Sequence, residues 1–480
     1  MGEHQLRRRP GNRVVRRRLH ATNVIDLPKE TETRDVPTAT AHAKQFVVGV
    51  SLLIVVGALL LMLPIASESG ESTHPTDAFF TAMSAASVTG LVTVDTATHW
   101  TFFGELVILV LIQLGGFGFM VGASVVLVAL GRGSSLRDTL MMQDGSPTMS
   151  LREVTSLSRR IIRFMLITEA IGAILLTAHF LQHESPLNAI WHGIFHSVSA
   201  FCNAGFDLQG GFNSVIGLSG SPLVILTIGG LIQAGALSFM VLNDVWVKRK
   251  WRDLYLDSKL VLITNFLLII AGMMFFLIVE WNTALSRMDA ELRPMNALFQ
   301  SVAARTAGFA SVNFNDAQPA TLFLWVGLML IGGAAGSTAG GIKLATIAIL
   351  FLAIVATLRG QEEPQTFGRR IAPNLIFRSL AIVALFMAMH FMLALTLAIT
   401  EDVFNDAAFG FAPLMFEAMS GLATVGLSTG ITPELSIPGK LVLFVAMFIG
   451  RLGPITAAYA LQRRQQPARF RFPEAHVRIG

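Results

Sequence analysis

The chain has 480 residues, of which 53% are hydrophobic and only 14% charged, with a formal net charge of +5. Soluble domains carry about 25% charged residues, so this composition excludes a soluble globular protein and points to a membrane. A single cysteine, Cys202, excludes an internal disulfide and any cysteine-based metal site.

Residues 1–43 form a basic tail beginning Arg7-Arg8-Arg9. It reads as a solvated cytoplasmic tail against anionic lipid, in preference to a nucleic-acid arm or a transit peptide. The first apolar stretch is long and lacks a small-residue cleavage site, so no cleavable signal peptide is expected. Apolar stretches at 45–65, 102–130, 161–181, 222–247, 260–281, 322–358, 375–399 and 437–460 reach the roughly 20 residues a helix needs to cross a bilayer. They give eight expected spans in four repeats, 44–130, 131–247, 248–358 and 359–462, followed by a cytoplasmic tail, 463–480.

Each repeat reads as span, linker, short apolar helix, glycine segment, span. The short helices are expected at 78–86, 189–200, 297–304 and 407–420, with Asp77 as a cap for the first. Helices of about nine to fourteen residues do not cross a bilayer. Irregular backbone at membrane depth is tolerated only when buried in protein or lining a water-filled cavity. Four re-entrant loops around a central pore are therefore expected.

The glycine segments are Ser87-Val88-Thr89-Gly90, Cys202-Asn203-Ala204-Gly205, Arg305-Thr306-Ala307-Gly308 and Ala423-Thr424-Val425-Gly426. Their glycines are 115, 103 and 118 residues apart, the spacing of four copies of one unit. A ring of backbone carbonyls replaces the hydration shell of a bare cation, and glycine reaches the unusual dihedrals that aim carbonyls inward. The partly negative C-terminal ends of the short helices favour a cation at the centre. Helix packing is the other use of membrane glycines; four matched positions favour the ring. The polar groups of Thr89, Asn203, Thr306 and Thr424 are candidate additional ligands. Arg305 either sets the local potential or pairs with an external acid.

Lys and Arg set the orientation. Ten precede Phe46, six lie in 131–163, five in 247–260, four in 358–378 and five after Leu461. By the positive-inside rule both termini are cytoplasmic and the glycine segments enter from outside. Asp95 and Asp207, just beyond their glycines, are candidates for an acidic mouth that concentrates cations. Glu417, inside the fourth short helix, is expected to bond nearby filter backbone.

The stretch 322–358 is too long for one crossing and contains Gly332, Gly333, Gly336, Gly340 and Gly341 around Ser337 and Thr338. Glycine costs roughly 1 kcal/mol against alanine in a helix interior, so unwound backbone is expected here, a natural gate beside the filter. Lys343, and Arg451 in the last span, are cations at a depth where charge is costly and functional by default. Gly336–Lys343 fails as a phosphate-binding loop because Ile342 follows Gly341. Gly217-Leu218-Ser219-Gly220 matches a short intramembrane-protease string, but it sits in a linker and no suitably placed membrane histidine is evident beyond His390, so no enzyme is expected.

On these segments, and on Thr81-Ala82-Met83-Ser84-Ala85-Ala86-Ser87-Val88-Thr89-Gly90-Leu91 in particular, residues 44–462 resemble the Trk/Ktr/HKT superfamily of K+ transporters, most of all the Ktr-type membrane subunit. The resemblance implies an all-α integral membrane fold of four membrane–pore-loop–membrane repeats with pseudo-fourfold symmetry. It implies filter glycines at Gly90, Gly205, Gly308 and Gly426, with Gly90, rather than serine, going with K+ over Na+. It also implies a gating loop in the third repeat restrained by Arg451, a homodimer, and a cytosolic nucleotide-binding RCK ring that would bind ATP or ADP, this chain holding no cofactor. Na+ is the alternative ion, and a bacterial plasma membrane the expected location.

Overall fold

The computed structural model describes residues 39–129, 151–361, 363–405 and 409–453. Residues 1–38, 130–150, 362, 406–408 and 454–480 lie outside the described residues. Repeat 1 contains α1 (Ala39–Leu61), α2 (Pro75–Ser87), the single turn α3 (Thr96–His99) and α4 (Phe102–Ala129). Repeat 2 contains α5 (Leu151–Phe180), α6 (Pro186–Cys202), α7 (Pro222–Ala236) and α8 (Phe239–Lys248). Repeat 3 contains α9 (Leu256–Val279), α10 (Arg293–Ala303), α11 (Pro319–Leu330) and α12 (Leu344–Leu358). A hairpin, β1 (Gln365–Thr366) with β2 (Arg369–Arg370), leads to α13 (Pro373–Phe404), α14 (Phe411–Leu422) and α15 (Ile437–Leu452) in repeat 4.

Proline opens α2, α6, α7, α11 and α13, at a position where its missing N–H costs nothing and its fixed φ suits the helix. Among the described residues, Ser156–Phe180, Leu256–Val279 and Pro373–Phe404 are each long and apolar enough to cross a membrane. Their outward side chains, such as Ile174, Ile278 and Phe391, are exposed hydrophobics, as a lipid-facing surface requires. The short helices are the buried ones: α2, α6, α10 and α14 bury most of their C-terminal halves.

The packing is cyclic. Each short helix touches the second span of the preceding repeat: α6 on α4, α10 on α7, α14 on α11, and α2 on α15. Chain order thus runs once around a centre and closes between repeats 4 and 1.

Three expectations are corrected. The stretch 222–247 is not one straight span, since α7 and α8 meet at 94° across Leu237 and Ser238. Ser238 adopts φ 65°, ψ 149°. The carbonyls released at the end of α7 are taken by repeat 3, with Thr338 N donating to Gly235 O (3.3 Å) and Ala334 N to Ala236 O (2.8 Å). Asp77 does not cap α2: His74 is the N-cap residue, its side chain making no capping bond, and Asp77 lies 3.7 Å from Lys440 Nζ of repeat 4. The fourth short helix begins at Phe411, after non-helical Phe409 and Gly410, and the expected residues 407 and 408 lie outside the described residues.

Candidate functional site

The four glycine segments leave the C-terminal ends of α2, α6, α10 and α14 and meet one another. Gly90, Gly205, Gly308 and Gly426 have φ of 95°, 72°, 78° and 94°, the left-handed region that glycine enters without steric cost. Two residues earlier, Val88, Asn203, Thr306 and Thr424 have φ between 51° and 64°, where L-residues pay roughly 1–2 kcal/mol each. All four segments therefore share one alternating backbone. A Cβ on Gly205 would lie 3.0 Å from Ala307 O, and one on Gly308 would lie 2.7 Å from Val425 O. A Cβ on Gly90 would run into Ala204 O, and one on Gly426 into Thr89 O. Each glycine thus abuts the carbonyl that precedes the next repeat's glycine, and the fourth returns to the first. The ring is closed, with no room for any side chain at these positions.

Further polar groups, not evident from the sequence, hold this backbone. Ser84 Oγ accepts from Gly90 N and Ser420 Oγ from Gly426 N, both at 3.0 Å, while Ser199 Oγ donates to Phe206 O (2.7 Å). These serines all stand six residues before their glycines, a spacing legible only once the glycines are aligned. The residue three beyond the glycine is fixed as well: His196 Nε2 accepts from Leu208 N (3.4 Å), Gln300 Nε2 donates to Ser311 Oγ (3.0 Å), and Glu417 accepts from Thr429 N (2.9 Å). Glu417 also takes bonds from the hydroxyls of Ser428 and Thr432. It therefore ties down the chain beyond the fourth glycine rather than the glycine segment itself. Gly115, Gly235 and Gly450 lie against the carbonyls of Ala86, Phe201 and Leu422, leaving no space for a Cβ.

The side chains of the segments mostly point away from the ring. Thr89 Oγ1 pairs with Ser87 Oγ (2.6 Å), and it stands one position later than Asn203, Thr306 and Thr424, whose true counterpart is Val88. The Asn203 amide, turned so that nitrogen donates, reaches the carbonyls of Ala200 and Ile232. Thr306 Oγ1 accepts from Gly340 N (3.2 Å). Cys202 is buried and in contact with Glu169 and Gln113. Among the described residues Arg305 pairs with no external acid, and its guanidinium donates to Asn265 Oδ1 of α9. Asp95 Oδ1 caps α3 through Thr98 N (3.0 Å), and Oδ2 accepts from Phe212 N (2.7 Å) across the repeat boundary. Asp207 accepts from Gln209 N (2.9 Å), and burial, aided by the nearby Asp95 charge, pushes its carboxyl up to about 6 against the opposing effect of that bond.

Between α11 and α12 the backbone of 331–343 is non-helical and almost wholly buried. Ile331 and Ile342 form a parallel bridge that pinches its ends, with Gly332 N donating to Ile342 O (2.9 Å). Gly336 and Gly341 take positive φ, and Gly333 and Gly340 are packed too closely for a Cβ against Ala236 O and Ala423 O. Thr338 Oγ1 donates to Phe201 O (3.3 Å), and Ser337 Oγ to Ala334 O (2.7 Å). Arg451, 2% exposed, donates from Nη1 to Thr338 O (2.9 Å) and from Nη2 to Gly115 O (2.8 Å). Lys343 Nζ donates to Ala339 O (2.6 Å) and Gly340 O (3.1 Å). Loop carbonyls thus accept from both the buried Arg451 and the half-buried Lys343. Ser219 sits just after a single 3-10 turn, and His390 is buried in α13.

Four repeated segments closing a ring of carbonyls, with a buried loop packed against it, suit a bare cation. The family model for cation transport proteins, TrkH, matches residues 20–470. The chain belongs to the TrkH cation transport protein family. It is a membrane transporter and not an enzyme. It is 36% identical over 435 residues to the potassium/sodium uptake protein NtpJ of Enterococcus hirae, covering 90% of this chain and 96% of that protein. It is 38% identical over 429 residues to the Ktr system potassium uptake protein B of Vibrio alginolyticus, covering 88% and 91%. The protein of that name from Bacillus subtilis is 35% identical, covering 90% and 95%. The crystal structure of the potassium transporter TrkH from Vibrio parahaemolyticus shares the fold, with a TM-score of 0.71 at 20% identity over 89% of this chain and 86% of that one.

Proposed function

We propose that the chain carries K+ into a bacterial cell through the ring formed by Gly90, Gly205, Gly308 and Gly426 and the carbonyls that precede them. The observation that carries this reading is the closed contact of each glycine with the next repeat's carbonyl, ending at Gly426 on Thr89. Carbonyls in that arrangement substitute for water around an unhydrated cation, and the four short-helix C-termini add negative potential. The loop 331–343 is the gate, and Arg451 and Lys343 latch it through its own carbonyls. Asp95 and Asp207 line the outer mouth, and both termini lie in the cytoplasm. The curated relatives bear potassium or potassium/sodium uptake names, which supports K+ as the principal ion and Na+ as the second. The Ktr system name of two of them supports a partner component. We assign that part to a cytosolic nucleotide-binding ring beneath a homodimer of this chain.

The test is Gly90→Ser, assayed by uptake in a K+-uptake-deficient strain. A serine Cβ at φ 95° displaces the first segment from Ala204, so K+ preference over Na+ should drop by about tenfold, the worth of ~1.4 kcal/mol. Unaltered selectivity sinks the filter assignment.

A further inference from the structure

Behind the third segment lies a charge that the reading above leaves without a task. Arg305 stands three residues before Gly308 and is 1% exposed. Arginine stays protonated inside proteins. Its Nη1 donates to Asn265 Oδ1, and Asn265 Nδ2 donates to Gln233 Oε1 of α7 at 2.9 Å. Among the described residues no carboxylate pairs with it, and Nε and Nη2 find no acceptor. The same place in the other segments is held by Ser87, Cys202 and Ala423, none of which carries a fixed positive charge.

The seam of repeat 2 shows how the site is built without that charge. Gln113 on α4 donates to Glu169 of α5 (3.0 Å), and Cys202 Sγ lies 3.7 Å from Gln113 Oε1. These two seams thus each join a glutamine from the preceding repeat, a polar residue of the repeat's own first span and the residue three before the glycine. Only in repeat 3 is that last residue a guanidinium. It sits at the C-terminal end of α10, where it offsets the negative potential that a short helix offers to a cation. A buried charge is weakly screened, and an ion pathway needs sites that release the ion as well as admit it.

We propose that Arg305 sets the K+ affinity of the site from behind the third segment, its uncompensated charge weakening cation binding so that the bound ion leaves. This rests on reading the ring as the K+ site. Arg305→Gln removes the charge, and Asn265→Asp neutralises it while leaving the arginine in place. Both should lower KM for K+ uptake by ~3- to 10-fold, as expected for one weakly screened charge near the ion, and reduce the maximal rate. Arg305→Lys should keep KM near that of the parent chain. If both neutralising variants leave KM unchanged, raise it, or fail to accumulate in the membrane, Arg305 is structural and the proposal is overturned. Gly90→Ser in the same assay separates the two readings. Lost selectivity there with an unmoved KM in the Arg305 and Asn265 variants defeats this inference alone, whereas unaltered selectivity defeats the K+ site itself.

Discussion

Eight residues of the ring hold positive φ, and only four of them are glycine. The glycines were legible in the sequence because no other residue reaches that backbone cheaply against a neighbouring carbonyl. Val88, Asn203, Thr306 and Thr424 were not, because their strain is imposed by helix ends and serine bonds that the chain brings together only on folding. Thr89 shows the consequence: read by residue type it joins the polar set, and read by backbone its place belongs to Val88. The acids divide in the same way. Asp95 works as a cap and a tie to Phe212, while Asp207 has a pH-dependent charge at the proposed mouth. Its carboxyl titrates at about 6 instead of its ordinary 3.8, chiefly through burial. Between those values the folded chain holds a proton that the unfolded chain releases, so its contribution to stability falls as pH rises through that window. Its negative charge is present above about pH 7 and lost below about 6. K+ uptake at limiting K+ should therefore fall about twofold from external pH 7.5 to 5.5, since a mouth carboxylate raises local cation concentration. Asp207→Asn should sit at the lower level and show a flatter profile; an identical profile in the variant removes Asp207 from the mouth.

At the scale of elements, periodicity and composition located the long apolar helices and the short helices, and their ends less well. The bend between α7 and α8 had no signal, since Leu237-Ser238-Phe239 contains neither glycine nor proline inside an apolar run. Its cause lies in repeat 3, whose loop takes the carbonyls of Gly235 and Ala236. The unwound loop, in contrast, was legible from its five glycines. Ser238 carries the cost of the bend: φ 65° with ψ 149° is a region nearly restricted to glycine, worth ~1–3 kcal/mol of strain. Its Oγ is also buried without a partner among the described residues. Ser238→Gly relieves both and forfeits only ~0.5–1 kcal/mol of chain entropy. Thermal unfolding in detergent should show the midpoint raised by about 2 °C, with transport retained. A lowered midpoint would mean that the bend is not strained.

At the scale of the whole molecule, the loop is where the repeats converge. Phe201, Gly235 and Ala236 from repeat 2, Thr306 from repeat 3, and Arg451 from repeat 4 all bond it, and Arg451 reaches on to Gly115 of repeat 1. None of these partners adjoins it in sequence, so only the family resemblance points to the proposed latch and nothing in the sequence points to the bracing of the loop. Because one guanidinium clamps the loop carbonyl of Thr338 to repeat 1, Arg451→Gln and deletion of 335–340 should remove the same barrier. Groups in direct contact couple rather than add. Each change alone should therefore raise K+ flux in proteoliposomes by about threefold, a barrier lowered by ~0.7 kcal/mol, and the double variant should gain no more than either single one. Multiplied effects would mean that arginine and loop obstruct the ion separately, and lowered flux in both would make the loop a support of the ring instead of its gate.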